Sequence, residues 1–399
     1  MPASPRTARA INDRLALRFL QEEGPLTAGQ LKDRTGLSRP TVADLVERLT
    51  DSGLVAVVGE AGAQRRGPNA RLYGIVADRA HLGALDVRTE GVRLVVADLL
   101  GSVLAEAALP VEAGEATGAA VERAVALLER TAKEAGAERL HTVGVGAPGL
   151  IDPASGELRD SSGLPEWHRR LVAVLQERLP AHVLVENETN LAALAEQRDG
   201  ATRDRDTFVL LWLGLGIGAA VVLDGRLRRG ASGGTGEVGF LPVPGTAGVP
   251  SATGCEGGFH SLAGAAAILE LAAAHGLVGP GEPVERAAGV VRDAVAGGAH
   301  AFLDALADRV VLGAAAVVAV LDPGCVVLAG EVGRAGGDVL ARRVAERLAR
   351  MSPLATEVRA GALGGGAVLR GALLMAREAA QEDVFGPGAD APGVSLSPR

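Results

Sequence analysis

The 399-residue sequence predicts an α/β protein, with a small helical head closed by a β-hairpin and a two-lobed body of sheets and helices around a cleft. Three observations carry this. Residues 6–53 hold three apolar-periodic helical stretches separated at Gly24 and Gly36, and two β-rich runs follow at once. Hairpin-rich segments then alternate with Ala-rich helices in two related halves, the pattern of a layered α/β body. The charge is also uneven. The chain is net −8, yet residues 1–80 carry 12 Arg and Lys against 9 Asp and Glu. A basic head on an acidic body points to a nucleic-acid-binding module.

In the head, "RTARAINDRLALRFLQEEG" places Ile11, Leu15, Phe19 and Leu20 at helical spacing and stops at Gly24. Thr27 caps a short helix over "AGQLKDRT" that buries Leu31, and Gly36 breaks the chain. Ser38 caps the next helix, "RPTVADLVERLTDSG", with Pro40 in its first turn, where a missing N–H costs nothing. Val42, Leu45, Val46 and Leu49 form its apolar face. Two short helices across a glycine turn make a helix-turn-helix. The strands "LVAVVGE" and "ARLYGIV" around the tip "AGAQRRGPN" supply the wing of a winged helix. The second helix presents its N-terminal turn to a major groove, which makes Ser38, Arg39, Thr41 and Asp44 the candidate base readers and Arg48 a phosphate contact. Arg65 and Arg66 at the wing tip suit the negative potential of a narrow minor groove. The partner read from the head is a double-stranded DNA operator.

In the body, "HLGALDVRTEGVRLVVADLLGSVLAEAAL" reads as a three-stranded meander, followed by a helix and the buried-type strand "HTVGVGAP". The pattern recurs from "FVLLWLGLGIGAAVVLDGRLRRG" to the buried strand "GCVVLAGEV". Aromatics are only 2% of the chain, so its cores must be built from Ala, Val and Leu. The tail from 381 to 399, rich in Pro, Gly and Ser, is expected to be disordered. Two distant cysteines, Cys255 and Cys325, exclude a disulfide framework and a four-thiolate zinc site. No apolar run is long enough to span a bilayer and the N-terminus lacks a signal-peptide layout, so the expectation is a cytoplasmic protein without membrane contact.

The blocks "TVGVGAPGLIDPASGEL", "VENETNLAALAE", "LWLGLGIGAAVVLDGRLRRGASGGTGEVG" and "LDPGCVVLAGEVG" occur in this order. Through them residues 8–380 resemble the ROK family (repressor, open reading frame, kinase), and the winged helix followed by "RRGPNARLYGI" resembles its repressor branch. The resemblance implies an actin-like sugar-kinase fold behind a DNA-binding head. It also implies a homodimer or homotetramer that changes its grip on DNA when a sugar or sugar phosphate binds. The domains expected are a winged helix over 1–78 and a ROK-type body over 79–380. Lobe one spans about 80–185 plus the C-terminal helix, and lobe two about 186–365.

The chain departs from the family where chemistry would occur. The first phosphate loop, resembling "DxGGTK" in the kinases, is "DVRTEG" (86–91), with Arg88 and Thr89 where glycines would approach phosphates. The second loop, "GLGIG" (214–218), is kept, as any tight hairpin would require. The catalytic aspartate of an "END" block is Glu188 in "ENET". A carboxylate displaced by about 1 Å costs on the order of a hundredfold in rate, so no enzymatic activity is expected. The family's structural zinc uses a histidine and three cysteines. Here Phe240 stands at the histidine and Cys255 alone remains of the thiols, so no metal or other cofactor is expected. Phe240 is expected to pack where the metal shell was, and Cys255 to be buried. The resemblance also marks the ligand-binding candidates: Asn187 and Glu237, which are kept, Glu188, lengthened from an aspartate, and His260, in place of a glutamate; the contact of an asparagine is lost at Gly163. His260 would meet a phosphorylated or acidic ligand, or pair with Glu237. The function read from the sequence is a transcriptional regulator, a repressor, modulated by a sugar derivative and without kinase activity. Rival readings are a ligand-independent regulator that uses the body only to oligomerise, a sugar kinase, and a protein-binding adaptor.

Overall fold

The computed structural model describes residues 5–61, 70–112, 114–152, 155, 157–158, 165–251, 254–278 and 283–386. The wing-tip residues Arg65 and Arg66, and Gly163, lie outside the described residues.

The head comprises α1 (Pro5–Glu23), β1 (Leu26–Thr27), α2 (Ala28–Thr35), α3 (Arg39–Asp51), β2 (Val55–Ala61) and β3 (Ala70–Ile75), with sheet order β1-β3-β2. Local chemistry sets the helix ends. The Thr27 hydroxyl accepts from the Gln30 N–H at 3.2 Å while the Gln30 side chain accepts from the Thr27 N–H at 2.9 Å, a reciprocal capping box. Gly36 ends α2 in the left-handed region at φ 71°. Leu31, Val42, Leu45, Val46 and Leu49 are buried. On α1 the buried face is Ala16, Leu17 and Leu20, and Ile11, expected in the core, is 57% exposed.

A 3₁₀ turn, Ala77–Arg79, leads into the body. The first sheet is built from β4 (His81–Arg88), β5 (Gly91–Asp98), β6 (Val103–Pro110), β7 (Leu140–Ala147) and β8 (His182–Asn187) in the order β6-β5-β4-β7-β8. Helices α4 (Thr117–Glu134) and α5 (Glu166–Arg178) cover one face, and α6 (Glu188–Asp199) follows β8 directly. The second sheet repeats the plan with β9 (Phe208–Leu213), β10 (Ile217–Leu223), β11 (Arg226–Arg228), β12 (Cys325–Ala329) and β13 (Glu357–Ala360) in the order β11-β10-β9-β12-β13. In each sheet a three-stranded antiparallel meander is extended by two parallel strands. The outer face of the second sheet carries α7 (His260–Ala263), α8 (Ala265–Ala274), α9 (Pro283–Gly297), α10 (His300–Leu321) and α11 (Gly330–Met351). Among the described residues no helix is long and apolar enough to cross a membrane.

The last helix, α12 (Ala367–Val384), packs with α6 between the two sheets. Alternation along β9 shows the layering. Phe208, Leu210 and Trp212 join the central core with α6 and α12, while Val209, Leu211 and Leu213 join the core under α10 and α11. The central layer is tight enough for backbones to touch. A Cβ on Gly144 of β7 would lie 2.2 Å from the Ala372 carbonyl oxygen, and one on Gly371 would lie 2.0 Å from that of Leu191. The expected disordered tail therefore begins too early at 381. Gln381 is 7% exposed and donates from Nε2 to the Leu99 carbonyl at 2.8 Å, and Phe385 packs on the central core.

Gly371→Ala should lower stability by about 1–3 kcal/mol through overpacking. Gly289→Ala, where a new Cβ meets open space in the middle of α9, should raise it by roughly 0.5–1 kcal/mol. Thermal denaturation of the two variants against the parent checks both signs.

Candidate functional site

The head and the cleft between the lobes each gather the residues that the sequence singles out. On α3 the Ser38 side chain caps the helix, accepting from the Thr41 N–H at 3.4 Å, and the two hydroxyls lie 2.8 Å apart. Arg39 is exposed in the first turn with no partner among the described residues, so its guanidinium is free to meet DNA. Arg48 is placed differently from its expected role. It pairs with Asp44 on its own helix and with Asp13 of α1 at 2.7 Å. Two carboxylates offset its charge, and the same contact occupies Asp44, one of the expected base readers. Arg48 and Asp44 thus hold the recognition helix against α1 rather than presenting two free groups to a groove.

The cleft has a volume of about 480 Å³ and is lined from both lobes. Its inner end is dominated by Arg88. From β4 its Nε and Nη2 donate to Asp86 Oδ2 at 2.9 and 2.8 Å. Nη2 also reaches the Gly365 carbonyl at 3.0 Å, and Nη1 lies 3.6 Å from Glu331 in the first turn of α11. Arg93 adds a second bond to Gly365 at 3.1 Å. The turn that bears a phosphate loop in the kinases is here a strap from lobe one to lobe two. His168 of α5 supports it from behind, donating from Nε2 to the Arg88 carbonyl at 3.0 Å. Burial depresses the His168 pKa, which keeps the ring neutral for this contact.

Glu188 lies on the cleft wall with no hydrogen-bond partner among the described residues. Desolvation, with Asp86 and Glu331 facing it, pushes its pKa up to about 8. Burial raises Asp86 and Glu331 too. Asn187, expected to touch ligand, caps α6. Its Oδ1 accepts from the Thr189 and Asn190 N–H groups at 2.8 and 3.4 Å, and its Nδ2 donates to Gly149 at 3.0 Å, leaving one N–H for a ligand. Arg229 of lobe two closes a second bridge, 2.6 Å from Glu186 at the end of β8.

At the outer end Glu237 and His260 both line the cleft, but they do not pair with each other. Desolvation raises Glu237 and lowers His260, so the imidazole is neutral. Phe240, expected to be packed, is 38% exposed and lines the cleft. Cys255, expected to be buried, is half-buried on the same wall. A lone thiol beside a phenyl ring does not fit the zinc that the resemblance implies, and among the described residues no three His, Cys, Asp or Glu side chains gather as ligands. Sequence reasoning passed over Glu331 and His168. An acid in the first turn of a helix and a histidine on an apolar helix face are too common to mark a site.

The described residues thus form a winged helix followed by a two-lobed α/β body with a cleft. Residues 82–379 match the ROK family and residues 11–67 the MarR family. The chain belongs to the ROK family. The xylose repressor of Caldicellulosiruptor bescii is 25% identical over 237 residues, 59% of each chain, so the match spans only part of that relative's length. The crystal structure of a ROK family transcriptional regulator homologous to the Escherichia coli MLC protein superimposes with a TM-score of 0.74 at 20% identity, covering 95% of this chain and 98% of that one. A ROK hexokinase from Thermus thermophilus superimposes with a TM-score of 0.59 at 28% identity, covering 76% and 99%. The body thus has the ROK actin-like fold behind a MarR-like winged helix.

The Glu188 shift has a sign that can be measured. Its folded pKa of about 8 lies above the ordinary 4.5, so between these values the folded state keeps a proton that the unfolded chain has lost. Rising pH through that window disfavours folding. Glu188→Gln should gain several degrees in Tm relative to the parent as pH rises from about 5 to about 8, with the difference level above that. Paired melts across pH check it.

Proposed function

We propose that the protein is a sequence-specific DNA-binding transcriptional regulator, a repressor. A sugar or sugar derivative in the cleft sets its grip on double-stranded DNA, and it carries out no phosphoryl transfer. The observation that carries this reading is Arg88. A winged-helix head is joined to a cleft in which Arg88, in the segment that resembles the kinases' first phosphate loop, is ion-paired to Asp86 and Glu331. Phosphoryl transfer needs phosphate cradles and a placed base, and a bulky charged Arg88 in the first loop disfavours the cradle. Glu188, at the position that resembles the base, is pushed up to about 8 by desolvation, which favours its protonated form. The similarity to repressors supports the same reading. A homodimer or homotetramer suits a two-fold operator.

The fold supplies a route from cleft to head. The turn at Gly365, gripped by Arg88 and Arg93, is the entry to α12. At the far end of α12, Gln381 holds the Leu99 carbonyl at 2.8 Å and Arg377 holds that of Leu100 at 3.3 Å. The Leu99 N–H in turn donates to Ala77 in the connection to the head at 2.9 Å. A ligand that favours one lobe closure moves the start of α12, and the helix delivers the shift to the head. The ligand can change DNA affinity only by its differential affinity for the two closures.

Against a DNA fragment selected from a random library by the purified protein, Arg39→Ala should weaken binding roughly tenfold and flatten the logarithmic salt dependence by about one unit. DNA affinity indifferent to both salt and this change would sink the reading. Gln381→Ala should leave DNA binding and ligand-induced thermal stabilisation in place while reducing the ligand's effect on DNA affinity. Incubation with ATP, magnesium and hexoses should yield no sugar phosphate.

A further inference from the structure

Five carboxylates line the cleft, from Asp86, Glu90, Glu188, Glu237 and Glu331, and among the described residues one guanidinium, Arg88, faces them. That guanidinium is already committed to Asp86 and to the Gly365 carbonyl, so it is not available to an incoming anion. His260 is neutral and adds no positive charge. A phosphate brought into this space meets a lining in which carboxyl groups outnumber guanidinium groups five to one. The acidic lining alone would say little, but two of these groups also lack partners. Asp86 is 1% exposed, and its Oδ1 has no hydrogen-bond donor. Glu188 makes no hydrogen bond among the described residues, and the carboxylates of Asp86, Glu331 and Glu90 all act on it. Buried acceptors in native proteins find donors, and orphans mark a missing group.

We infer that the ligand of this cleft carries a protonated amine, as an amino sugar or aminocyclitol with a free ammonium group seated among Asp86, Glu188 and Glu331. This rests on the reading of the cleft as the effector site. An ammonium offers three N–H donors, one for each of the three carboxyl groups, and needs no acceptor in return. Its charge-assisted bonds are stronger than those of a hydroxyl in the same place. The hydroxyl-bearing ring then lies toward Glu237 and His260, whose side chains have no hydrogen-bond partner among the described residues. The phosphorylated ligand that the sequence allows for His260 is disfavoured by the same charges.

Titration calorimetry on the full chain tests this with matched sets. Glucosamine, galactosamine and mannosamine would each be compared with the N-acetyl form and the parent neutral hexose, and glucosamine also with glucosamine 6-phosphate. At least one amine should bind roughly tenfold more tightly than its N-acetyl and neutral counterparts. The 6-phosphate should be weaker than glucosamine. Glu188→Gln should erase the preference for the amine. Glu331→Gln, should the first variant fail to fold, should reduce it. An N-acetylated, neutral or phosphorylated sugar binding as tightly as the amine overturns the inference and leaves the effector cleft standing. Silence from every sugar, in protein that still binds DNA, removes the sugar-effector reading and this inference with it.

Discussion

The central layer of two helices governs the rest of the molecule. Helices α6 and α12 lie between the sheets so closely that their backbones, and that of β7, meet through Gly144 and Gly371. This contact fixes how far apart the lobes stand and so the width of the cleft. It also explains why the core is built of alanine, valine and leucine rather than aromatics. Helices this close to a strand and to each other leave room only for small side chains, and packing density rises by interdigitation. Because α12 lines the cleft through Val368 and bonds to Leu99, whose N–H donates to Ala77 in the connection to the head, the packing that shapes the cleft also reaches toward the winged helix.

Charge decides what the cleft can hold. Arg88 offsets the charge of Asp86 and reaches toward Glu331. One guanidinium cannot satisfy five carboxyl groups in a partly desolvated space. The remaining charge is relieved by protonation, which is why Glu188, Asp86 and Glu331 all hold their protons more tightly than free carboxyls do. A cation would relieve it equally well.

Much of the architecture was legible beforehand because it rests on local chemistry. Thr27, Gly36 and Ser38 set the ends of the head helices through caps that depend on neighbours three residues away. The repeated strand-turn-strand pattern identified the two sheets, since alternation and glycine turns are properties of the strands themselves. The candidate site was legible only as a set of positions. Glu188, Glu237 and His260 do line one cleft, but Asn187 is largely engaged as a helix cap and Arg48 is tied to Asp13 and Asp44. Phe240 is left partly exposed on the cleft lining.

By itself, then, the sequence determined the head and the duplicated body, which follow from periodicity, caps and residue identity at short range, while its ordered blocks identified the family by resemblance. Only the tertiary structure decided which charges are spent and which are free. Arg88 meets Gly365 across 277 positions of chain, and Gln381 meets Leu99 across 282. Partnerships at that separation are set by packing, because a side chain's reach is a few ångströms and nothing in the local sequence records what the fold will bring within it.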